Sequence, residues 1–230
     1  MAEATPKGRY HHGDLRAALV RAGYRLAVEE GPEAVTLRAV TRRVGVTPAA
    51  AYRHFAGLDE LREAIGLRAL RELATTMEEH QAAVTEADPA RRARALLEAV
   101  GTGYLAFALN QPAAFRVGLD GLVLMEHAEL PDGAGVTGRT PFQLLDDALR
   151  GLAALGALAD GQVETAAILC WSSVHGFASL AIQGPLRGAP REALDALAGR
   201  LVRDVVDGVL AVDMAERDPA GPAAGLPANR

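Results

Sequence analysis

Apolar residues recur along almost the whole chain at the three- and four-residue spacing of an amphipathic α-helix. The first such segment begins after Asp14, which can cap a helix N-terminus, and ends at the Gly31-Pro32 pair. The second begins after Thr36 and ends at Gly45, a residue suited to the left-handed conformation of a helix C-terminus. No alternating β pattern of useful length occurs, so the sequence predicts an all-α protein.

The third predicted helix begins at Thr47-Pro48, because threonine is a good N-cap and proline suits the first helical position. In the stretch VTPAAAYRHF, three alanines follow the proline and no long aliphatic side chain comes before Tyr52. One face of this short helix therefore carries almost no side chain. We expect Ala51 and Phe55 to point back into a core formed by the three helices.

Helical spacing continues through the rest of the chain. A long fourth helix is predicted over residues 58–83, and five more over residues 89–110, 112–119, 140–155, 161–183 and 190–212. The glycine-rich residues 129–139 predict a mobile loop. The pattern divides the chain into an N-terminal domain of residues 1–57, a C-terminal helical domain of residues 58–214 and a disordered, proline-rich tail of residues 215–230.

Charge is distributed unevenly along the chain, whose net charge is −5. Residues 1–55 have a net charge of +4, and residues 56–230 have a net charge of −9. A basic N-terminal segment followed by an acidic remainder favours an anionic partner, such as nucleic acid, at the N-terminal end. Ordinary variation of surface charge explains the same difference equally well.

The composition favours a cytoplasmic protein without a membrane span. The single cysteine, Cys170, excludes an intramolecular disulfide and fits a reducing compartment. The N-terminal residues are polar through Asp14, so no signal peptide is expected. The longest apolar run, residues 166–182, is interrupted by three serines and a histidine, which favours a buried helix over a membrane-spanning one.

Two helices joined by a tight glycine-containing turn form a helix-turn-helix, whose second helix enters the major groove of DNA. The small side chains of the third helix fit this role, since bulky apolar groups would prevent close approach to the base edges. Phosphate contacts are expected from the hydroxyl, guanidinium and imidazole groups around it and from the helix N-termini. The candidate DNA-binding residues are Thr36, Arg38, Arg42, Arg43, Thr47, Pro48, Ala49, Ala50, Tyr52, Arg53 and His54.

Residues 10–66 closely resemble the N-terminal domain of TetR-family transcriptional regulators. The similarity rests on the segments YHHGDLRAALVRAGYRLAVEEG, TLRAVTRRVGVTPAAAYRHF and LDELREAI. It implies an all-α homodimer that binds a palindromic DNA operator and is usually a repressor released by a small molecule. Two residues depart from the family pattern. Leu58 stands where a phosphate-binding lysine is common, and Thr41 stands where alanine is common.

The C-terminal half resembles a class of TetR-family domain named for a Trp-His-Gly motif, through the stretch CWSSVHGFASL. This resemblance implies that the last two helices pair with their copies in a four-helix dimer interface. Apolar residues at helical spacing fit that role, namely residues 168–180 together with Leu194, Leu197, Leu201, Val205 and Val209. A small-molecule effector of unknown identity would bind among larger side chains, for which the candidates are Tyr104, Phe107, Phe115, Met125, Trp171 and His175. The same side chains fit a plain hydrophobic core.

A catalytic or metal-dependent function has little support in the sequence. The histidines and the cysteine lack the spacing of common metal motifs, and no nucleophile or phosphate-loop motif occurs. We therefore predict no catalytic residue, no metal and no cofactor. The alternative is a small all-α enzyme with an active site around Trp171 and His175. A regulator that activates transcription, or one that has no ligand, is a further alternative.

Overall fold

The computed structural model describes residues 12–119 and 130–217, with the side chains of residues 15–119 and 130–211. All regular structure in these ranges is helical, which confirms the all-α prediction. The described α-helices are α1 (His12–Glu30), α2 (Leu37–Val44), α3 (Pro48–Ala51), α4 (Leu58–Ala82), α5 (Pro89–Asn110), α6 (Pro112–Leu119), α7 (Pro141–Ala154), α8 (Val163–Ile182) and α9 (Arg191–Arg217).

Each helix expected from apolar spacing is present, and the largest differences in the helix boundaries are in α1, α3 and α9. α1 begins at His12, so Asp14 lies inside its first turn, where the helix dipole favours an acidic residue. α3 is a single turn, and the three polar residues from Tyr52 to His54 lie in the turn that follows it. α9 continues to Arg217, so the first three residues of the predicted tail are helical and residues 218–230 lie outside the described residues.

The chain divides into two compact units. Residues 1–76 and 107–142 form the first, and residues 77–106 and 143–230 form the second. The first unit therefore contains α1 to α3, most of α4, and α6, whereas the second contains most of α5 and of α7 together with α8 and α9. The functional division after residue 57 that the sequence suggests remains a prediction.

The core of the first unit is built from the faces that the sequence indicates. Leu19 of α1, Val40 of α2, and Leu61 and Ile65 of α4 are fully buried, and Phe55 closes the core between α3 and α4. Thr41 is buried in the same region, and its hydroxyl donates a hydrogen bond of 2.7 Å to the Leu37 carbonyl. That bond satisfies the polar group that replaces the family's alanine.

A polar contact also joins α1 to α4 within the first unit. The Tyr24 hydroxyl donates a hydrogen bond to Glu72, and the Arg68 guanidinium lies 4.9 Å from the centre of the Tyr24 ring. Burial, together with the bond to Glu72, raises the pKa of the Tyr24 hydroxyl. The phenol is therefore neutral at every physiological pH and remains a donor to the carboxylate.

Residues 129–139, predicted as a mobile loop, are instead anchored where the structure describes them, from Leu130 onward. A short 3-10 helix spans Pro131–Gly133, and Ala134 and Thr140 are buried in the first unit. Glu129 lies outside the described residues. The loop is held where Gly133 allows the backbone to lie against Leu67 and Leu70 of α4, a contact that composition alone does not reveal.

The second unit is organised around α8 and α9, which pack against each other. Ala178 of α8 and Val202 and Val206 of α9 are almost fully buried. Burial raises the pKa of the Cys170 thiol to about 11, so this cysteine is a neutral core residue. Among the described residues, only the segment Asp160–Ile182 is long and apolar enough to cross a membrane, and just 33% of its most apolar window is buried. α8 therefore buries one face and exposes the other, so the buried helix that we expected is buried only in part.

Candidate nucleic-acid interface

The helix-turn-helix is formed by α2, a tight turn and α3. The Thr36 hydroxyl caps α2 by accepting a hydrogen bond of 3.2 Å from the Ala39 amide. Gly45 ends α2 with a φ of 78°, and both its amide and that of Val46 donate to the Thr41 carbonyl, at 2.9 and 3.0 Å. A residue with a side chain would be strained at this φ, so the glycine fixes the direction in which α3 leaves the turn.

α3 presents its polar end to solvent. Hydrogen bonding of the helical kind continues past Ala51, because the Phe55 amide donates to the Ala51 carbonyl at 3.0 Å. Ala51 and Phe55 are 0% and 2% exposed, which confirms that they point into the core. Tyr52 is 58% exposed, and Arg53 is also exposed. The side chains of Tyr52 and Arg53 therefore point into solvent, while the neighbouring Ala51 and Phe55 are buried.

Ala50 is not the surface residue that the sequence suggested. It is 8% exposed, whereas Thr47, Pro48 and Ala49 are exposed. Successive residues of a helix are rotated by about 100°, so two neighbouring residues of a single turn can both face the adjoining helix. Ala50 and Ala51 do so here, which leaves Ala49 as the exposed alanine of α3.

The three arginines of α2 have different surroundings. Arg38 and Arg42 are exposed and form no ion pair among the described residues. Arg43 instead binds the end of α1, with nitrogen–oxygen distances of 2.7 Å to Glu29 and 2.8 Å to Glu30. The hydrogen bond to Glu29 is the main reason that the pKa of Arg43 is raised. Two carboxylates contact this exposed guanidinium in the structure, and the prediction that Arg43 binds the same phosphate backbone as its neighbours stays a prediction.

Thr36 and Thr47 occupy the cap positions predicted for them, but only Thr36 uses its side chain as a cap. Thr47 has extended backbone angles and makes no capping hydrogen bond with its hydroxyl. Pro48 is at the first helical position, as expected. His54 is half-buried beside the exposed Tyr52 and Arg53.

Sequence reasoning missed several residues that hold this surface in place. The Glu60 carboxylate accepts a hydrogen bond of 2.6 Å from the Ala56 amide and so orders the entry to α4. Arg62 donates to the Val35 carbonyl at 3.1 Å, which ties α4 to the start of α2. An acidic residue in the first turn of a predicted helix is a recognised capping signal that points to Glu60. No comparable sequence signal points to Arg62.

Three of the candidate effector-binding residues come together in the second unit. The Tyr104 hydroxyl lies 2.9 Å from His175 Nδ1, and the rings of Trp171 and His175 are 6.2 Å apart at an angle of 60°. Tyr104 is 4% exposed, and the other two side chains are half-buried. A buried phenol and a half-buried imidazole beside an indole can bind a polar group at the edge of an apolar ligand.

Phe107 and Phe115 are not part of this cluster. Phe107 and Phe115 belong to the first unit, where each is 1% exposed and forms core. Met125 lies outside the described residues. Within the described residues, no group of three or more His, Cys, Asp or Glu side chains is arranged to hold a metal ion.

Two family models match the chain. Residues 19–65 match the model described as bacterial regulatory proteins of the tetR family. Residues 97–205 match the model described as the tetracyclin repressor-like C-terminal domain. The second match does not establish the Trp-His-Gly class, which remains a prediction. No curated protein matches the sequence.

Solved structures share the fold at low sequence identity. A protein of unknown function from Rhodococcus sp. RHA1 is 24% identical with a TM-score of 0.66, over 89% of this chain and 100% of that one. A regulatory protein of the tetR family from Rhodococcus RHA1 is 19% identical with a TM-score of 0.55, over 84% and 96%. The transcriptional regulator FadR from Bacillus subtilis, in complex with stearoyl-CoA, is 15% identical with a TM-score of 0.61, over 84% and 98%.

The two matched regions together cover most of the chain and include the helix-turn-helix described above. The family consists of transcription regulators and not of enzymes, which removes the alternative of an active site around Trp171 and His175. The chain belongs to the TetR family of bacterial regulatory proteins and is a DNA-binding transcriptional regulator.

Proposed function

We propose that this regulator is a cytoplasmic repressor that binds a palindromic operator as a homodimer and is released by a small molecule. The observation that carries the proposal is the surface at the end of α3, where Tyr52 is 58% exposed above a fully buried Ala51. A large exposed aromatic residue next to Arg53 has no role in the core and is suited to contact DNA. The proposed contact residues are Thr36, Arg38, Arg42, Thr47, Pro48, Ala49, Tyr52, Arg53 and His54.

The proposed dimer surface is the outer face of α8 and α9. Ile168, Leu169 and Leu180 of α8 are 44–53% exposed, and Leu197 of α9 is 50% exposed. Several large apolar side chains on two neighbouring helices favour coverage by another protein surface. A second copy of the chain fits, since a two-fold axis pairs each such face with itself and places two recognition helices on one palindrome.

The proposed effector site is the cluster of Tyr104, Trp171 and His175. One structural neighbour, FadR from Bacillus subtilis, has been solved in complex with a small molecule, stearoyl-CoA. Release from DNA requires that the ligand bind one arrangement of the dimer more tightly than the other. The Tyr104–His175 hydrogen bond supplies a polar contact that such a ligand can join or replace.

Selection of bound DNA from a random library tests the DNA-binding function directly. The purified protein is expected to enrich a palindrome whose half-sites are separated by about 34–36 Å, or a multiple of that distance. A Tyr52→Ala, Arg53→Ala double variant serves as the control and should enrich nothing. If the wild-type protein enriches no sequence, the proposal is wrong.

Operator affinity should fall steeply as the salt concentration rises. About four to six phosphate contacts per dimer give a slope of roughly −4 to −5 in a plot of log affinity against log salt concentration. Leu58→Lys restores the phosphate-binding residue common in the family, at the half-buried start of α4. We expect that variant to bind more tightly with a steeper slope, as measured by fluorescence anisotropy. Leu58→Gln is the uncharged control, and an equal slope in both variants would exclude this contact.

His175→Ala should leave operator affinity unchanged and weaken the response to the effector. The substitution removes one hydrogen-bond partner of the nearly buried Tyr104 hydroxyl, in a unit separate from the helix-turn-helix. One lost hydrogen bond should raise the effector concentration needed for half-release about three- to tenfold. A thermal-shift screen identifies the effector, and Tyr104→Phe is the matched variant. Release of both variants at the wild-type concentration would rule out this site.

A further inference from the structure

Residues 130–140, which we call the strap, lead into α7 and belong to the same compact unit as the DNA-binding helices. The strap begins with the 3-10 helix Pro131–Gly133 and continues into a tight turn, in which the Gly135 amide donates to the Arg139 carbonyl at 2.9 Å. Thr140 at its end is 1% exposed. The strap is therefore folded onto the unit and held at both ends.

The strap is fastened to α4 by one arginine and one glycine. Arg71 donates two hydrogen bonds to the Asp132 carbonyl, from Nε at 3.2 Å and from Nη2 at 2.9 Å. A Cβ atom on Gly133 would lie 3.3 Å from Leu67 Cδ2 and 3.5 Å from Leu70 Cβ. The backbone of the strap therefore lies directly on α4, and a side chain at position 133 would press against Leu67.

The strap also reaches α1 and the core aromatic residue of the helix-turn-helix. Arg16 Nη1 lies 3.8 Å from Asp132 Oδ2, and the Arg16 guanidinium lies 5.0 Å from the centre of the Phe55 ring. This ion pair is long and exposed, so it adds little stability by itself. Its importance is geometric, because Arg16 lies between Asp132 of the strap and Phe55, the core residue that follows α3.

We propose that the strap sets the position of the DNA-binding helices on α4, with Arg71 as the positioning residue. The proposal rests on the function proposed above and adds a control of operator affinity that lies outside the DNA surface. The Arg71–Asp132 contact holds the strap, Asp132 of the strap lies against Arg16, and Arg16 lies over the ring of Phe55. Release of the strap would let α1 and α3 shift on α4, which would lower DNA affinity without the loss of a DNA contact.

The test compares Arg71→Gln with Arg150→Gln. Arg150 is the matched control, since it is an exposed arginine on α7 whose Nε lies 2.7 Å from Asp146 in the second unit. We expect Arg71→Gln to weaken binding to the selected operator about three- to tenfold, and Arg150→Gln to bind as the wild type does. The salt slope should be unchanged in both, whereas a residue that binds phosphate reduces the slope by about 1 when it is removed.

Three results would overturn the proposal. The first is equal operator affinity in Arg71→Gln and Arg150→Gln, and the second is a salt slope reduced by about 1 in Arg71→Gln. The third concerns Gly133→Val, which lifts the strap from α4 without a change in charge. That variant should show the same loss of affinity as Arg71→Gln. Wild-type affinity in folded Gly133→Val would show that the strap does not position the helices.

Hydrogen exchange of the free protein separates this proposal from the DNA-binding function. If the wild-type protein enriches no DNA, the proposed function fails while the role of the strap can still be decided. Amides of α1 and of residues 48–55 are expected to exchange faster in Arg71→Gln than in Arg150→Gln. Equal exchange rates in these segments would overturn the positioning role, whatever the outcome with DNA.

Discussion

Phe55→Ala is expected to unfold the helix-turn-helix, whereas Tyr52→Ala should abolish most operator binding in a protein that melts normally. Phe55 is 2% exposed at the centre of the core that α1 to α4 share, and it is also covered by Arg16. Truncation of a buried aromatic side chain costs about 3–5 kcal/mol of stability. That loss is a large part of the total stability of a typical domain.

Tyr52 differs from Phe55 by lying outside the core, although only two residues separate them. Its side chain is 58% exposed, so its removal takes away surface and not packing. The loss of a specific DNA contact of this kind costs about 1–3 kcal/mol in binding, or roughly five- to 150-fold in affinity. Arg53→Ala should behave in the same way, because Arg53 is also exposed.

Thermal melting and operator titration, performed on the same protein samples, distinguish the two outcomes. Tyr52→Phe is the control that keeps the ring and removes only the hydroxyl, and it shows whether the phenol oxygen makes the contact. Normal operator binding by Tyr52→Ala would exclude the end of α3 from the DNA interface. A wild-type melting temperature for Phe55→Ala would contradict the core assignment.

The sequence predicts the turn and the core of the helix-turn-helix because local rules decide them. Gly45 adopts the left-handed conformation that a helix C-terminus favours, and Ala51 and Phe55 are separated by one helical turn on the buried side. The ion pairs of Arg43 cannot be predicted from such local rules. Its partners, Glu29 and Glu30, are 14 and 13 residues away, so the pairing depends on how α1 meets α2. Spacing within one helix carries no information about that contact.

The apolar residues of α9 that we predicted for the dimer interface lie on two different faces of the helix. Leu194 and Val209 are buried inside their own unit, in line with Ala198, Val202 and Val206. Leu197 is exposed, and Leu201 and Val205 are half-buried. Neighbouring positions on a helix differ by about 100°, so a stripe displaced by one residue faces a different surface. Only the packing of α9 on α8 decides which face is internal, and the prediction that Leu194 and Val209 form the dimer interface is therefore wrong.

Leu197→Arg should convert the proposed dimer to a monomer with little operator binding. Leu197 is 50% exposed on α9, which packs against α8, and α8 exposes Ile168 and Leu169. An arginine there would place a charge inside an apolar two-fold interface, and symmetry would place a second charge opposite it. A monomer contacts one half-site only, so the binding energy of the second half-site is lost.

Leu155→Arg is the matched control for this experiment. Leu155 is also a leucine with 50% of its surface exposed, but it follows α7 and lies on neither α8 nor α9. Both variants add the same charge to the same unit, so a general effect of the arginine on solubility or DNA attraction appears equally in each. Sedimentation equilibrium should show a monomer for Leu197→Arg and a dimer for Leu155→Arg, with operator binding lost only in the first. A dimer that binds the operator normally in both variants would place the interface elsewhere, because no buried apolar face accepts two uncompensated charges at its centre.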